Sequence, residues 1–339
     1  NKEEPGKTAY DVAEHLLEYR SASKNYTTYA QGIASHVSYD GCIHGKFNHT
    51  STTTGRLSSS DPNLQNVSNN PIKKAIISHW GDKGYLVEAD FKQLEVVILA
   101  ALSNDWQLVF DVSHGVDIHS ELYNDLYGKY PTKEERKPFK SRTFQLIYGA
   151  GATAISKTAG CSLEEAKRFI EVFYTRYPAV KEWQENYASQ VDKLSFREKD
   201  PVTGYSKSAS SVMISSTGRR LYFKQYPNDY TGKWGYSSTE MKNYPVQSLA
   251  TGDIVPLMLG KIFDLWKHHP AIKLVNTVHD SILFDTHEDI TASFILDIKE
   301  VLSKTHLFFE HDFKAPLPLK LEAGVSYGRN WYEMEEIEL

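Results

Sequence analysis

The chain has little cysteine: its 339 residues include only two, Cys42 and Cys161. Two cysteines exclude a disulfide-built scaffold and a cysteine-rich zinc site, and they fit a reducing compartment. No run of about 18 apolar residues is present, so a membrane-spanning helix is not expected. The start lacks the basic and apolar segments of a signal peptide, and it lacks Met, which predicts a chain trimmed or cut from a longer one.

An excess of positive charge is also lacking. Lys and Arg number 38 against 43 Asp and Glu, a net charge of −5, whereas nucleic-acid binders are usually basic. The net charge does not show how the charges are distributed over the surface, so it does not exclude a basic cleft on an otherwise acidic protein. Residues 333–339 carry four Glu, and we interpret this acidic end as a solvated tail. The length predicts about two structural units.

Apolar spacing and turn residues predict the secondary structure. Helices are predicted over 11–20, 94–102, 132–149, 162–177 and 250–268, the third with Thr132 and Glu135 at capping-box spacing. Strands are predicted over 85–90 and, in two pieces, over 274–285. Residues 36–50 read as a short strand pair around Asp40-Gly41, residues 51–71 as an ordered polar loop, and residues 195–235 as hairpins.

Two aspartates stand at the ends of apolar strands. Asp90 closes the strand at 85–90, and Asp280 lies at the turn between the two strands of 274–285. A buried carboxylate costs several kcal/mol unless it is paired, hydrogen-bonded or bound to a metal. Because no matching His or Cys cluster is visible, an oxygen-only ligand set favours Mg²⁺ over Zn²⁺. Taken alone, each aspartate is equally well an ordinary turn or strand-end residue.

The predicted helix 132–149 carries a ridge of four residues at four-residue spacing: Arg136, Lys140, Phe144 and Tyr148. This spacing keeps them on one broad face, with two cations first and two aromatic rings after them. The order matches a nucleoside triphosphate that lies along the helix, with its phosphates at the basic end. The alternative is an amphipathic helix with an aromatic core stripe. Pro138 predicts a late start or a bend.

The polar loop contains the segment TTGRLSSSDPNLQN over residues 53–66. One arginine and many short hydrogen-bonding side chains suit contacts to phosphate, sugar and the minor groove of DNA. A bland polar loop is the alternative, although so long a loop with few apolar anchors is costly to order.

Taken in order, these blocks resemble the polymerase module of family A DNA polymerases, the bacterial DNA polymerase I type, of bacterial or phage-like origin. The loop resembles the template-primer loop of that family, and residues 90–95 (DFKQLE) resemble its first acidic motif. The ridge followed by Gly149 resembles its finger helix. Residues 243–247 (NYPVQ) resemble a primer-template block, residues 278–280 (VHD) the second acidic motif, and Gly328-x-Asn330-Trp331 the family's C-terminus.

The resemblance implies an α+β fold: a right-hand polymerase with a palm built on an antiparallel sheet, mainly helical fingers and a thumb that is largely absent. Residues 1–50 would be a remnant of the thumb base, 51–110 the first part of the palm, 111–239 the fingers and 240–339 the second part of the palm. No proofreading domain fits into the residues before Thr50.

The implied function is template-directed DNA synthesis, in which dNMP from a dNTP is added to a primer 3′-hydroxyl and pyrophosphate leaves. Asp90 and Asp280, with the backbone carbonyl of Phe91, would hold two Mg²⁺, for which Mn²⁺ can substitute. The residues implied to bind the dNTP are Gln93, Glu95, His119, Arg136, Lys140, Phe144 and Tyr148. Glu95 would exclude a 2′-hydroxyl. The residues implied to contact primer and template are Arg56, Gln65, Asn66, Lys73, Lys74, Gln247 and His279.

The sequence departs from the family pattern at several positions. Ser281 replaces the glutamate that usually follows the second catalytic aspartate, and we expect activity to survive because that acid is the least essential of the three. Val97 and Thr239 stand where arginines are common, and the stretch 195–212 looks inserted.

Two other functions stay open. A single-subunit RNA polymerase shares palm and fingers, but Glu95 and Phe144 argue against it. A non-catalytic DNA-binding subunit fits the net charge and Ser281, but it has no reason to keep Asp90, Lys140 and Asp280 together. The expected partners are primer-template DNA, dNTPs, and a second chain or missing N-terminal part that supplies thumb and 3′–5′ exonuclease. The expected location is the cytoplasm of a bacterial or phage-infected cell, with an organelle not excluded.

Overall fold

The computed structural model describes residues 5–67, 71–197, 199, 208–228 and 232–337. Its helices are α1 (Pro5–Lys24), α2 (Gly32–Ala34), α3 (Leu94–Ser103), α4 (Trp106–Ser113), α5 (Ile118–Tyr127), α6 (Lys133–Ile147), α7 (Ala152–Ala159), α8 (Leu163–Arg176), α9 (Pro178–Lys193), α10 (Ser238–Gln247), α11 (Val255–Trp266), α12 (Glu288–Ser303) and α13 (Thr305–Phe313). Wide π-type turns over Asn25–Gln31 and Ser248–Ile254 join α1 to α2 and α10 to α11.

The strands are β1 (Lys46–Asn48), β2 (Ser58–Ser60), β3 (Gly84–Phe91), β4 (Ser210–Ile214), β5 (Arg220–Pro227), β6 (Trp234–Tyr236), β7 (Ile272–Val278), β8 (Ser281–His287), β9 (Ala323–Gly328) and β10 (Glu335–Glu336). The largest sheet has the order β10-β9-β3-β8-β7, and every neighbouring pair is antiparallel. A smaller antiparallel sheet has the order β4-β5-β6, and β1 pairs with β2.

Strand β3 lies in the middle of the large sheet and presents different residues to its two faces. Val87, Ala89 and Phe91 are buried in the main core, because successive side chains of a strand point to opposite sides. The other face begins with Leu86, which belongs to a small apolar cluster with Trp331, and ends at Asp90. One face of the strand therefore stabilises the fold while the other leads to an open carboxylate.

Helix α12 covers the core face of this sheet, and its Phe294 packs edge-on against Phe284 of β8 at 5.0 Å between ring centroids. Helices α3 to α9 follow β3 and form a mostly helical unit of their own. Its interior is aromatic: Phe139 of α6 meets Phe169 of α8 at 5.5 Å in an edge-to-face contact. The unit thus holds α6 through its buried side and leaves the opposite side of that helix free to face the sheet.

The mixed helical and antiparallel architecture confirms the predicted α+β class. The predicted helices at 94–102, 132–149 and 162–177 correspond to α3, α6 and α8, and the strands at 85–90 and 274–285 to β3 and the β7–β8 hairpin. The predicted hairpins at 195–235 correspond to the small sheet over its described residues. The helix predicted over 250–268 is part of a longer helical segment, because α10, the π turn and α11 follow one another without a break.

Two local predictions need correction. Around Asp40-Gly41 the chain does turn, with a bridge between Val37 and Ile43, but residues 46–48 pair with β2 inside the polar segment instead of completing a hairpin. Over its described residues, 333–337, the acidic end is not a free tail, and residues 338–339 lie outside the described residues. Glu335–Glu336 form the edge strand β10, and Glu336 pairs with Lys92 at 3.2 Å. Residues 68–70 of the loop prediction lie outside the described residues.

Candidate active site

The two acidic motifs meet on neighbouring strands. Asp90 at the end of β3 is the cross-strand partner of Ser281, the first residue of β8. The backbone N–H of Phe91 donates to the carbonyl of Asp280 at 3.4 Å. His279 and Asp280 form the two-residue turn between β7 and β8, and His279 takes a left-handed conformation with φ of 56°. The register of the sheet therefore brings two aspartates that are 190 residues apart in the chain to the same end of two neighbouring strands.

Both carboxyl groups are electrostatically strained. The surrounding protein desolvates Asp90 and the nearby Asp280 repels it, and together with Glu88 and Glu336 these effects raise its pKa from 3.8 to about 7. Burial also raises the pKa of Asp280. Lys140 opposes the rise at Asp90 without cancelling it. The nearby cations therefore do not offset the burial and repulsion of the two carboxyl groups, which is the condition in which a pair of carboxylates favours a cation.

Helix α6 begins with the predicted capping box. The Thr132 hydroxyl accepts from the Glu135 N–H at 3.3 Å, and the Glu135 carboxylate accepts from the Thr132 N–H at 2.8 Å. Pro138 lies inside the first turns of the helix, and the helix continues past it to Ile147. The cap and the buried Phe139 fix the rotation of α6. The Arg136–Tyr148 ridge is thereby turned toward the acids.

The ridge is already organised by neighbouring side chains. Nε and Nη2 of Arg136 donate to the two Asp117 oxygens at 2.5 and 2.8 Å. Lys140 lies 5.9 Å from the centre of the Phe144 ring, which stacks on Tyr148 at 6.3 Å and 26°. The Glu95 carboxylate on α3 is near enough to Tyr148 for each side chain to influence the pKa of the other.

Three pKa values follow from these contacts. Burial raises the pKa of Glu95 and that of Tyr148. Burial would also raise the pKa of Asp117, but the hydrogen bonds from Arg136 and Ser120 outweigh it and lower the pKa to about 2. Asp117 is consequently ionised at every working pH.

His119 lies behind the ridge. It is buried, its ring is 5.5 Å from Phe144, and burial lowers its pKa to about 4. Its Nδ1 has no partner among the described residues. A neutral histidine in this position packs against the aromatic end of the ridge and adds no positive charge at pH 7.

The polar loop closes the cleft from the side of the large sheet. Thr54 donates to the side chain of Gln247 at 3.0 Å, and Arg56 bonds to His279. Gly252, in the π turn after α10, lies against the Thr54 carbonyl so closely that a Cβ there would clash with it. Glycine at this position lets the loop approach the helix, and the loop in turn carries Arg56 to the second acidic motif.

These elements enclose a cleft of about 690 Å³. It is lined by most of the residues that the resemblance singled out, namely Arg56, Asp90, Phe91, Gln93, Glu95, His119, Arg136, Lys140, Phe144, Tyr148, Gln247, His279 and Asp280. The sequence reasoning did not select two other residues that matter for this arrangement, Asp117 and Thr54. Asp117 holds Arg136 of the ridge, and Thr54 ties the loop to Gln247 of α10; no local sequence pattern predicts either long-range contact.

Four predicted residues do not line this cleft. Gln65 donates to the Thr277 carbonyl on β7 at 3.1 Å, and the carbonyl of Asn66 accepts from the Tyr29 hydroxyl at 3.0 Å. Lys73 lies 3.9 Å from the centre of the Trp331 ring, and Lys74 pairs with Glu333 at 2.5 Å. Their predicted contacts to primer and template would therefore occur outside the cleft.

The departures from the family pattern have local explanations. Ser281 is buried and its hydroxyl donates to Glu88 at 2.9 Å. Val97 is buried in the main core, so packing replaces an ion pair there. Thr239 lies against Gly149, whose φ is 85°. A Cβ at position 149 would come within 2.8 Å of the Thr239 Cα, so there is no room for a side chain at that position. Glycine at 149 thus lets the end of α6 lie directly against α10.

Across the described residues, no group of three or more His, Cys, Asp or Glu side chains is arranged to hold a metal. The available donor set is the Asp90 and Asp280 carboxylates with the nearby Phe91 carbonyl.

In the same described part of the chain, no helix has the length and apolar character needed to cross a membrane.

Comparison with known proteins agrees with this arrangement. The family model described as DNA polymerase family A matches residues 3–333. DNA polymerase I of Helicobacter pylori is 31% identical over 330 residues, which are 94% of this chain and 33% of the relative. The thermostable DNA polymerase I of Thermus filiformis is 31% identical over 97% of this chain and 37% of its own length. The chain thus spans about a third of these relatives.

A solved structure shows the same fold. It is the POL domain of Pol1 from M. smegmatis in complex with DNA primer-template and dNTP. It is 26% identical, with a TM-score of 0.76, and the match covers 96% of this chain and 54% of that one. The fold, the ordered motifs and the family match lead to one conclusion: the chain belongs to DNA polymerase family A.

Proposed function

We propose that the chain catalyses template-directed DNA synthesis in the cleft between β3, β8 and α6. The observation that carries this proposal is the convergence of two charge-repelling aspartates with a ridge of two cations and two aromatic rings in one cleft. The acids and the ridge come from distant parts of the chain, and neither has a structural need for the other. Their meeting is what a reaction between a hydroxyl and a triphosphate requires.

The donor set fits Mg²⁺. Asp90 and Asp280 would hold the ions through oxygen, and the Phe91 carbonyl offers a third hard ligand. The raised pKa of Asp90 supports this assignment, because a cation would relieve the repulsion that raises it. When bound, Mg²⁺ supplies positive charge that acidifies the primer 3′-hydroxyl and neutralises the triphosphate. Mn²⁺ has similar ligand preferences and is expected to substitute.

The reaction forms one bond and breaks one. The primer 3′-oxygen, after losing its proton, attacks the α-phosphorus of the dNTP, and the bond to the bridging oxygen breaks to release pyrophosphate. Arg136 and Lys140 would bind the β- and γ-phosphates. The pair with Asp117 uses Nε and Nη2 of Arg136, so Nη1 lies outside it and can reach a phosphate. Gln93 and His119 would contribute less.

The aromatic end of the ridge would receive the sugar and the base. Phe144 and Tyr148 offer stacked faces, and Glu95, which lines the same cleft beside Tyr148, would lie under the expected position of the sugar. A buried carboxylate there would leave no space for a 2′-hydroxyl, which favours deoxyribose. This contact is also what separates the proposal from a single-subunit RNA polymerase.

The DNA would approach from the loop side. Arg56, Gln247 and His279 line the cleft beside the acids, where the primer end has to lie. We retain Gln65, Asn66, Lys73 and Lys74 as contacts farther along the duplex. A thumb and a 3′–5′ exonuclease would come from a further segment or a second chain, and size-exclusion of the native complex tests this. The named relatives are bacterial, which supports the bacterial cytoplasm as the proposed location.

Primer extension with a Mg²⁺-dependent assay tests the activity. Asp90→Asn should abolish extension while primer-template binding, measured by fluorescence anisotropy, stays within about threefold. A matched control is Asp192→Asn, an exposed aspartate near the end of α9, which should extend normally. Retained synthesis by Asp90→Asn would refute the metal assignment. Loss of synthesis by both variants would show that the effect is unspecific.

A further inference from the structure

A third carboxylate stands close to the proposed metal site and has no role so far. We propose that Glu88, oriented by Ser281, is a positioning residue whose charge strengthens cation binding by Asp90 and Asp280. This inference rests on the proposed function. It concerns the part of the site where the sequence has serine in place of an acid.

The register of the sheet fixes the location of Glu88. It lies two residues before Asp90, so both side chains point to the same face of β3. On β8, Ser281 is directly opposite Asp90 and Leu283 is opposite Glu88. Cross-strand neighbours and their diagonal partners are within about 4.5–8 Å at Cβ. A carboxylate at position 88 therefore serves the same end of the sheet as one at position 281.

Hydrogen bonds hold Glu88 in place. The Ser281 hydroxyl donates to its Oε1 at 2.9 Å, and the Trp331 indole N–H donates to the same oxygen at 3.4 Å. Both donors use Oε1, so the second oxygen is not part of this pair of bonds. The side chain is only half-buried. Serine at 281 is thus explained as the group that orients an acid supplied by the neighbouring strand.

Glu88 acts through the aspartates and is not a direct ligand. No cluster of three acidic side chains close enough to share an ion occurs among the described residues. Its negative charge nevertheless lies on the same face of β3 as Asp90, and the hydrogen bond to Ser281 holds it beside the residue that follows Asp280. The same negative charge favours any cation between the two aspartates. Outer-shell groups of this kind commonly change metal affinity by about 10–100-fold.

Mn²⁺ binding to the full chain, followed by electron paramagnetic resonance without DNA or nucleotide, tests the proposal. Glu88→Gln keeps an oxygen acceptor for Ser281 and Trp331 but removes the charge. We expect Mn²⁺ affinity to fall about tenfold. The control is Glu335→Gln, which removes an exposed carboxylate of β10 that is not among the groups acting on Asp90. Its affinity should stay within about twofold.

A reciprocal exchange gives the second measurement. Glu88→Ser alone should weaken Mn²⁺ binding, and adding Ser281→Glu should restore it to within about threefold, since the acid then lies opposite Asp90. A purely structural Glu88 predicts an unchanged Mn²⁺ affinity in Glu88→Gln and no rescue, and either result overturns the inference. Asp90→Asn separates the two proposals. If it abolishes Mn²⁺ binding while Glu88→Gln does not alter it, only the role of Glu88 fails; if Asp90→Asn also binds normally, the proposed function fails.

Discussion

Replacing Asp90 by Asn should stabilise the metal-free protein at alkaline pH. In the folded state, burial and the charges of Asp280 and Glu88 raise the pKa of Asp90 from 3.8 to about 7. The folded protein therefore binds a proton that the unfolded chain has released between about pH 4 and 7. A raised pKa contributes stability at pH below the unfolded value, and this stability is lost as the pH rises through about 7. Asparagine does not titrate and avoids the loss.

The size of the effect follows from the shift. A rise from 3.8 to about 7 corresponds to about 4 kcal/mol between the two protonation states. Asp90 opens to the cleft, and screening by water reduces this value to about 1–2 kcal/mol. At pH 8 in EDTA, Asp90→Asn should be more stable by that amount, and at pH 5, little more than a third of the way from 3.8 to about 7, the difference should be roughly 0.4 of that amount.

Urea unfolding at pH 5, 6, 7, 8 and 9 measures the difference directly. Asp192→Asn serves as the control, and its difference from the wild type should not change over this range. Added Mg²⁺ should stabilise the wild type at pH 8 and leave Asp90→Asn unaffected, because only the wild type keeps both carboxylates. Parallel curves for wild type and Asp90→Asn from pH 5 to 9 would refute the electrostatic account of the site.

Three other variants probe the nucleotide cleft and the loop. Glu95→Ala should relax selection against ribonucleotides by at least about tenfold, measured as the ratio of dNTP to NTP incorporation; an unchanged ratio would contradict the sugar-gate role. Asp117→Asn should cost about 1 kcal/mol at pH 7, and because the pKa of Asp117 is lowered to about 2, the wild-type advantage should shrink progressively from about pH 4 to about pH 2; an advantage that stays undiminished in acid unfolding over this range would count against the pair with Arg136. Gly252→Ala should cost about 1–3 kcal/mol and weaken primer-template binding by displacing the loop beside Thr54; a thermal unfolding midpoint and anisotropy equal to the wild type would contradict the close approach.

Local patterns were enough to predict the elements that build the site. The apolar residues before Asp90 predict a strand, the four-residue spacing from Arg136 predicts the ridge, and the turn near 279–280 predicts two strands that meet there; the structure has β3, α6 and the β7–β8 pair at these places. Each of these signals depends only on neighbours within a few residues. That the elements meet in one cleft was expected from the family resemblance, since no local pattern contains the register between β3 and β8.

The sequence alone could not supply contacts that cross the fold. Asp117 is an ordinary residue before α5 until α6 packs beside it and places Arg136 within hydrogen-bonding distance. The acidic end looks like a solvated tail because charged residues dominate it, yet backbone pairing with β9 makes it a strand. Glu88 could have been noticed from the sequence, because it lies two residues before Asp90 and alternate residues of a strand point to the same face. Its significance depends on Ser281, which lies 193 residues away.

The charge of the whole chain and the charge of the cleft lead to opposite expectations, and the structure explains why. The net charge of −5 argues against DNA, but within the cleft positive and negative groups are separated. Lys140 lies on the ridge, and the strained acids lie across from it on the sheet. The triphosphate would bind at the ridge and the cations at the acids, so each ligand brings charge of the sign opposite to that of the residues that bind it. Binding of one should therefore strengthen binding of the other, and Mn²⁺ affinity measured with and without dNTP would reveal this coupling as a reciprocal change.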